Sequence, residues 1–279
     1  MAKGTRSKVP INSQFEQPLG DDRGAGSPNP ATLAADIASL YPGGVVAAQL
    51  RVPGDPALLY PEESVSIARA VQKRVQEFAA GRLCARRALA EIGITGFPVR
   101  AGPDRAPEWP EAAVGSITHA AGYCAAVTAE RRRYLALGLD AEVVCDLKPA
   151  LWPRICVRSE IQWLESISAA NRQAAAALIF SAKEAFYKCQ FALTRERLTF
   201  GDLCVQPTVT DELDRNGHGD AVSISLTSPR MISAYFPSAI QCRYRFLNPY
   251  VIAAVWLPSA LQVSDPRESA PTRAPTEPG

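Results

Sequence analysis

Leu137-Gly-Leu-Asp-Ala-Glu-Val-Val144 and, further along, Phe180-Ser-Ala-Lys-Glu-Ala-Phe-Tyr-Lys188 are the two stretches on which the chain turns. The first alternates as a strand. With a side-chain period of two, Asp140 and Glu142 share one face, and Leu139, Ala141 and Val143 share the other. The second lies in a segment, 171–191, that reads as a helix. There Leu178, Ile179, Ala182, Phe186 and Cys189 form one apolar stripe, while Ser181, Glu184 and Lys188 fall together on the opposite side. Taken singly, an Asp-x-Glu strand is most often a solvated face, and Glu184 to Lys188 is an i, i+4 surface pair worth about 0.3–0.5 kcal/mol. Taken together they carry the outfit of a metal-assisted phosphoryl site. Two adjacent carboxylates repel unless a cation separates them, a hard cation such as magnesium suits oxygen ligands, and a lysine neutralises phosphate charge.

Outward from this centre, two rounds of similar grammar appear. Residues 64–92 read as a helix, with Val71, Val75, Phe78, Ala85, Leu89 and Ile92 near helical spacing. A Pro-rich loop (97–110), a strand (Val114 to His119), a tight turn and a strand (Tyr123 to Thr128) follow. The second round is a strand at 135–144, the helix at 171–191, and strands near 221–227, 240–246 and 250–257. Ser116-Ile-Thr-His119 is echoed by Ser225-Leu-Thr-Ser228, and Tyr123-Cys-Ala-Ala-Val127 by Tyr250-Val-Ile-Ala-Ala-Val255 with one residue inserted, which suggests internal duplication. The expected organisation is a tail over 1–30, an N-terminal half over 31–134, a C-terminal half over 135–258 and a tail over 259–279. Both tails are rich in Pro, Gly, Ser and charge and offer little apolar surface against the entropy of ordering. Leu33, Ile37, Leu40 and Tyr41 predict a short helix packed on the first half.

The 279 residues carry a formal net charge of +2, so no global field points to nucleic acid. The 7 cysteines are odd in number and contain no C-x-x-C pair, which argues against a disulfide framework or a zinc site and fits a reducing cytoplasm. Apolar runs such as Tyr250 to Leu257 are too short to span a bilayer, and the early charges Lys3, Arg6 and Lys8 precede no apolar leader. Arg74 and Arg82 lie about two helical turns apart and could grip two phosphates, whereas Arg86 and Arg87 read as surface residues and Arg131 to Arg133 as a solvated turn. His119 ends a strand beside Thr118 at a loop mouth, where it could bond a phosphate or merely cap the strand. His218 sits in a Gly-rich loop tip without a role.

Three segments in register resemble the 4′-phosphopantetheinyl transferase superfamily. They are Glu77-Phe-Ala-Ala-Gly-Arg-Leu-Cys-Ala-Arg-Arg-Ala-Leu89, then Trp109-Pro to Val114-Gly-Ser-Ile-Thr-His-Ala-Ala-Gly-Tyr123, and Gly138 to Glu142 with Phe180 to Lys188. The similarity is to the monomeric two-halved branch, of the enterobactin synthase component D type. It implies a pseudo-twofold α+β fold with coenzyme A in the cleft between the halves. It also implies magnesium held by Asp140, Glu142 and Glu184, and Lys188 on the pyrophosphate. Arg74, Arg82 and His119 would bind coenzyme A phosphates, including the 3′-phosphate, Thr118 would belong to the same coenzyme A site, and Arg105, in Gly102-Pro-Asp-Arg-Ala-Pro107, would border the adenine. The implied reaction is attack of a serine hydroxyl of an acyl or peptidyl carrier protein on the β-phosphorus of coenzyme A, with Glu184 as general base and 3′,5′-ADP leaving. Arg195 and Arg197 could meet an acidic carrier. The enzyme is expected to be a cytoplasmic monomer. Two rivals remain: a magnesium-dependent phosphodiesterase, which would not explain Arg74, Arg82 and the Ser-Ile-Thr-His strand, and a non-catalytic coenzyme A- or carrier-binding module, which needs no acidic trio. No G-x-x-x-x-G-K-[ST] occurs, which disfavours a P-loop kinase.

Overall fold

The computed structural model describes residues 36–51, 53–207, 221–228, 234–237 and 239–259. Residues 1–30, residues 260–279 and His218 lie outside these. The first elements are strand β1 (Val45–Leu50), the short helix α1 (Pro61–Ser64) and the long helix α2 (Gln72–Glu91). Strands β2 (Ala113–Ala120), β3 (Tyr123–Glu130) and β4 (Tyr134–Val143) follow. Then come short helix α3 (Trp152–Ile155), α4 (Arg158–Ser166) and the long helix α5 (Ala169–Thr194). The chain closes with β5 (Leu203–Pro207), β6 (Ala221–Leu226), β7 (Ala239–Leu247) and β8 (Tyr250–Pro258).

The helix expected from residue 64 starts only at Gln72. Val71 is extended, at φ −66° and ψ 152°, and its side chain is exposed rather than part of the apolar stripe. What α2 buries is Phe78, the small run Ala79-Ala80-Gly81, and Cys84, Ala85, Ala88 and Leu89. Small side chains let the helix sit close on its sheet. The strands β1 and β5 and helices α1, α3 and α4 were not anticipated; each is short.

All strand pairings are antiparallel, in one sheet of order β1-β3-β2 and another of order β4-β8-β7-β6-β5. Strand alternation divides the core into three. Ala125, Val127 and Ala129 of β3 meet Leu137, Leu139 and Ala141 of β4 and Ile252 and Ala254 of β8 in a layer between the sheets. The opposite face of β3, Cys124 and Ala126, packs on Ala80, Cys84, Ala85 and Leu89 of α2. The opposite face of β8, Val251, Ala253 and Val255, packs on Leu178, Ile179, Ala182 and Phe186 of α5. The result is an α–β–β–α stack.

Within it, β4-β8-β7 with α5 between β4 and β7 repeats β1-β3-β2 with α2 between β1 and β2. The echo of Tyr123 in Tyr250 fits this correspondence. Each opens the matching strand, and their rings meet at 4.9 Å. The echo of Ser116-Ile-Thr-His119 in Ser225-Leu-Thr-Ser228 does not. Ser225 lies in β6, which has no partner in the first sheet; the counterpart of β2 is β7.

The sheets do not pair main chain to main chain where β2 meets β4. Instead Ser116 Oγ accepts from Leu139 N at 3.0 Å and Thr118 Oγ1 accepts from Ala141 N at 2.9 Å. Across the middle, α5 lies so close on β4 that a Cβ at Gly138 would fall 1.9 Å from the Ala185 carbonyl oxygen. The Gly138 carbonyl accepts from Tyr41 Oη at 2.6 Å, and Ile37, Leu40 and Tyr41 are buried against the same central layer.

Candidate active site

A cleft of about 790 Å³ runs along the β2–β4 seam. Its lining includes all nine residues singled out for chemistry: Arg74, Arg82, Arg105, Thr118, His119, Asp140, Glu142, Glu184 and Lys188. The first half supplies the cationic side and the second the acidic one.

On β4, Leu139, Ala141 and Val143 point into the layer between the sheets, so Asp140 and Glu142 turn to the α5 side, as period two requires. Lys188 Nζ donates to Asp140 Oδ1 at 2.7 Å and to the Leu139 carbonyl at 3.1 Å. Asp140 Oδ2 is buried with no partner. Burial, then the charge of Asp140, pushes the Glu142 carboxyl up to about 8, and the same two causes raise Glu184. Were all three carboxyls ionised, the one lysine would leave an excess of negative charge, and the raised pKa values of Glu142 and Glu184 reflect that cost. Among the described residues no three acidic, histidine or cysteine side chains stand close enough to enclose a metal as they are. The donor set nevertheless suits a hard divalent cation: oxygen atoms only, one of them buried and orphaned, and two carboxyls held above their ordinary range.

Thr118 is almost wholly buried. Besides accepting from Ala141, its hydroxyl reaches Asp140 Oδ1 at 3.4 Å, so its hydrogen bonds are directed at β4. Ser181, expected on the side of α5 opposite the apolar stripe, is fully buried with its hydroxyl unpartnered.

On the cationic side, Arg74 donates to His119 Nε2 at 2.8 Å and lies 3.5 Å from Glu77. Burial and the neighbouring Arg74 lower the His119 pKa, which keeps the ring neutral near pH 7 with Nε2 as acceptor. Arg82 is 6% exposed, lies over the Phe78 ring at 3.9 Å, and has an unpartnered buried Nε. Burial lowers its pKa to about 10, still charged at neutral pH. A charge brought this far from water, with a donor left over, is suited to an anionic ligand.

The lips were the least expected part. Arg105 (φ 69°) and Arg195 (φ 56°) are the two left-handed non-glycine residues of the described chain, and they stand on opposite lips. Arg195 Nη1 bonds Asp104 Oδ2 at 2.8 Å, joining the lips, and stacks over Phe191 at 5.4 Å. Arg131, expected in a solvated turn, donates to the carbonyls of Glu111 and Ala113 and lines the cleft. Arg86, expected at the surface, is paired with the buried Glu63. Tyr187 and Phe191, stacked at 5.4 Å, and Trp109 give the cleft an apolar wall that no charge motif signals.

The comparisons agree with this architecture. Residues 62–129 match the 4′-phosphopantetheinyl transferase N-terminal domain, and residues 136–253 match the 4′-phosphopantetheinyl transferase superfamily. The chain is 39% identical over 177 residues to the 4′-phosphopantetheinyl transferase Svp of Streptomyces mobaraensis, covering 61% of this chain and 72% of that one. It is 36% identical over 203 residues to the 4′-phosphopantetheinyl transferase PptT of Mycobacterium tuberculosis, covering 71% of this chain and 85% of that one. The chain belongs to the 4′-phosphopantetheinyl transferase superfamily. A shorter match, 38% over 119 residues, relates it to enterobactin synthase component D of Salmonella typhi, with 42% of this chain and 48% of that one covered. The boundary between the two family matches falls in the turn before β4, where one sheet gives way to the other. No described helix of this transferase is long and apolar enough to cross a membrane.

Proposed function

We propose that this chain transfers the 4′-phosphopantetheine group of coenzyme A to a serine of an acyl or peptidyl carrier protein, releasing 3′,5′-ADP. The observation that carries the reading is the meeting, in one cleft, of two arginines and a neutral histidine from the first half with three carboxylates and a lysine from the second. Membership of the superfamily disfavours the phosphodiesterase, and the acidic trio disfavours a mere binding module.

Arg74, Arg82 and His119 hold the phosphates of coenzyme A, and Arg105 borders its adenine. Asp140, Glu142 and Glu184 would hold magnesium, which supplies charge neutralisation at the pyrophosphate when bound. Lys188 shares that task, and its bond to Asp140 sets it at the β4 edge of the cleft. Glu184 takes the proton of the attacking serine, directly or through one water, and its raised pKa suits a base that must accept a proton. The serine Oγ–phosphorus bond forms as the bond from that phosphorus to the bridging oxygen breaks. The negative charge leaves on 3′,5′-ADP, near the cations of the first half. The seven free cysteines suit a reducing cytoplasm, and a cleft lined by both halves of one chain is what a monomeric enzyme needs. The test is mass spectrometry of apo carrier proteins incubated with coenzyme A, magnesium and this protein. An unmodified serine across a broad carrier panel would overturn the reading.

Two expected results bear on the binding roles. Arg74→Ala and Arg82→Ala should each weaken coenzyme A about tenfold, the scale of a hydrogen bond to a charged group. The loss should be smaller for 3′-dephospho-coenzyme A, measured by calorimetric titration; equal losses would mean that neither arginine reads the 3′-phosphate. The second concerns metal. A carboxyl whose folded pKa stands near 8, above its ordinary 4.5, stabilises the fold fully only below the ordinary value and loses that contribution as pH rises through 8. Magnesium on Glu142 should offset the loss. The rise in melting temperature on adding magnesium should therefore grow between about pH 6 and about pH 8.5, and flatten in Glu142→Gln. A magnesium shift independent of pH, or unchanged in the variant, would remove Glu142 from the ligand set.

A further inference from the structure

Each half contains a buried glutamate wired in the same way. Glu63 is the third residue of α1. Its Oε2 accepts from Tyr60 N at 3.0 Å and from Arg86, and its Oε1 accepts from Val99 N at 3.0 Å. Glu160 is the third residue of α4. Its Oε2 accepts from Val157 N at 2.7 Å and from Lys183 Nζ at 2.7 Å, and its Oε1 accepts from Val205 N at 2.6 Å. Both are essentially unexposed, and both reach back to the N–H before their own helix, one arm of a capping box. Arg86 and Lys183 each stand fourteen residues beyond the first residue of their long helix.

The two devices differ in what they hold. Glu160 fastens Val205 in β5, a strand with no residue in the cleft. Glu63 fastens Val99, at the root of the 97–110 loop whose residues from Asp104 to Trp109 form one lip of the cleft. That loop folds back on itself: Gly102 N donates to the Ala106 carbonyl at 2.8 Å, Glu108 N donates to the Arg100 carbonyl at 2.9 Å, and Arg100 pairs with Glu108 at 3.0 Å. Arg105 stands at its tip in the left-handed conformation. Such a hairpin follows its root, so a displacement at Val99 is carried to Arg105. Glu63 is also the anion whose charge most favours the ionised form of the buried Arg82.

We propose that Glu63, braced by Arg86, is a positioning residue for coenzyme A: it fixes the root of the 97–110 hairpin and thereby the place of Arg105 over the nucleotide end, while the matching Glu160–Lys183 pair serves stability alone. The inference rests on the reading that this lip faces coenzyme A.

The test compares Glu63→Gln, Glu160→Gln and Arg105→Ala in the full chain, by calorimetric titration of coenzyme A and by steady-state kinetics at saturating carrier protein. Removing one charge of a buried pair lowers stability in both glutamate variants, so melting temperature alone does not separate them. Glu63→Gln is expected to raise Kd and KM for coenzyme A about fivefold or more, with kcat within about twofold of the parent. Glu160→Gln is expected to leave both constants within about twofold. Equal changes in the two variants would overturn the proposal. So would unchanged affinity in Glu63→Gln while Arg105→Ala weakens coenzyme A. Affinity unmoved by Arg105→Ala would instead overturn the reading of the lip, and the positioning role with it. If Glu63→Gln fails to fold, Arg86→Lys keeps a cation beside Glu63 but gives up the N–H to the Leu58 carbonyl. A smaller loss of affinity in the same direction is then expected, and no loss overturns the proposal.

Discussion

Glu184→Gln is expected to lower kcat at least ~100-fold, the scale on which single electrostatic groups act, while the melting temperature at neutral pH stays level or rises. The carboxamide keeps the shape of the side chain on the cleft face of α5 but neither accepts a serine proton nor binds a hard cation well. Stability moves the other way because burial and Asp140 disfavour the ionised carboxyl. A group whose folded pKa is raised costs stability once pH exceeds its ordinary range, and the neutral amide removes that cost. Loss of function with gained stability marks a charge kept for chemistry. Turnover within about threefold of the parent would show that Glu184 is neither base nor ligand.

Gly138→Ala is expected to damage both the fold and the site. The added Cβ would meet the Ala185 carbonyl oxygen at 1.9 Å and Cys189 Cβ at 2.9 Å. The first neighbour is main chain, so no rotamer change relieves the contact, and α5 must lift off β4. Overpacking of this kind costs roughly 1–3 kcal/mol or more, which for a chain of this size lowers the melting temperature by about 2–10 °C. Glu184 and Lys188 ride on the helix that must move, while Asp140 stays on the strand, so the 2.7 Å bond between Lys188 and Asp140 is lost. Turnover per folded molecule should fall more than about tenfold, as displacement of catalytic groups by an ångström does. Gly43→Ala, where a Cβ would meet nothing within 4 Å, is the control. Equal melting temperature and turnover in the two variants would show that α5 is not seated as described.

Much of this was legible in the chain because the decisive signals are local. The alternation around Asp140 fixes which face each carboxylate takes, and the stripe from Leu178 to Cys189 fixes which face α5 buries. Spacing could not report what distant segments do to a residue. Arg86 read as a surface residue because its partner, Glu63, lies in another helix. Ser181 lies opposite the apolar stripe yet is buried, because α5 is covered on more than one side. Arg195 read as free to meet a carrier because Asp104 lies in a loop of the other half. The early helix start at 64 failed for a local reason: Val71 is apolar at the right period, yet it takes an extended conformation and opens to solvent.

The hydroxyls of Ser116 and Thr118 have a geometric consequence. Strands joined main chain to main chain lie ~4.8 Å apart and leave no room between them. Had β2 and β4 joined in that way, the two sheets would merge into one unbroken surface. With side chains doing the joining, the strands stand further apart, and the separation becomes the furrow along which Ile117 and His119 face Leu135, Asp140 and Glu142. The protein thus makes its cavity without hollowing out a core: the space is an interrupted sheet, with its chemistry distributed along the two banks of the break.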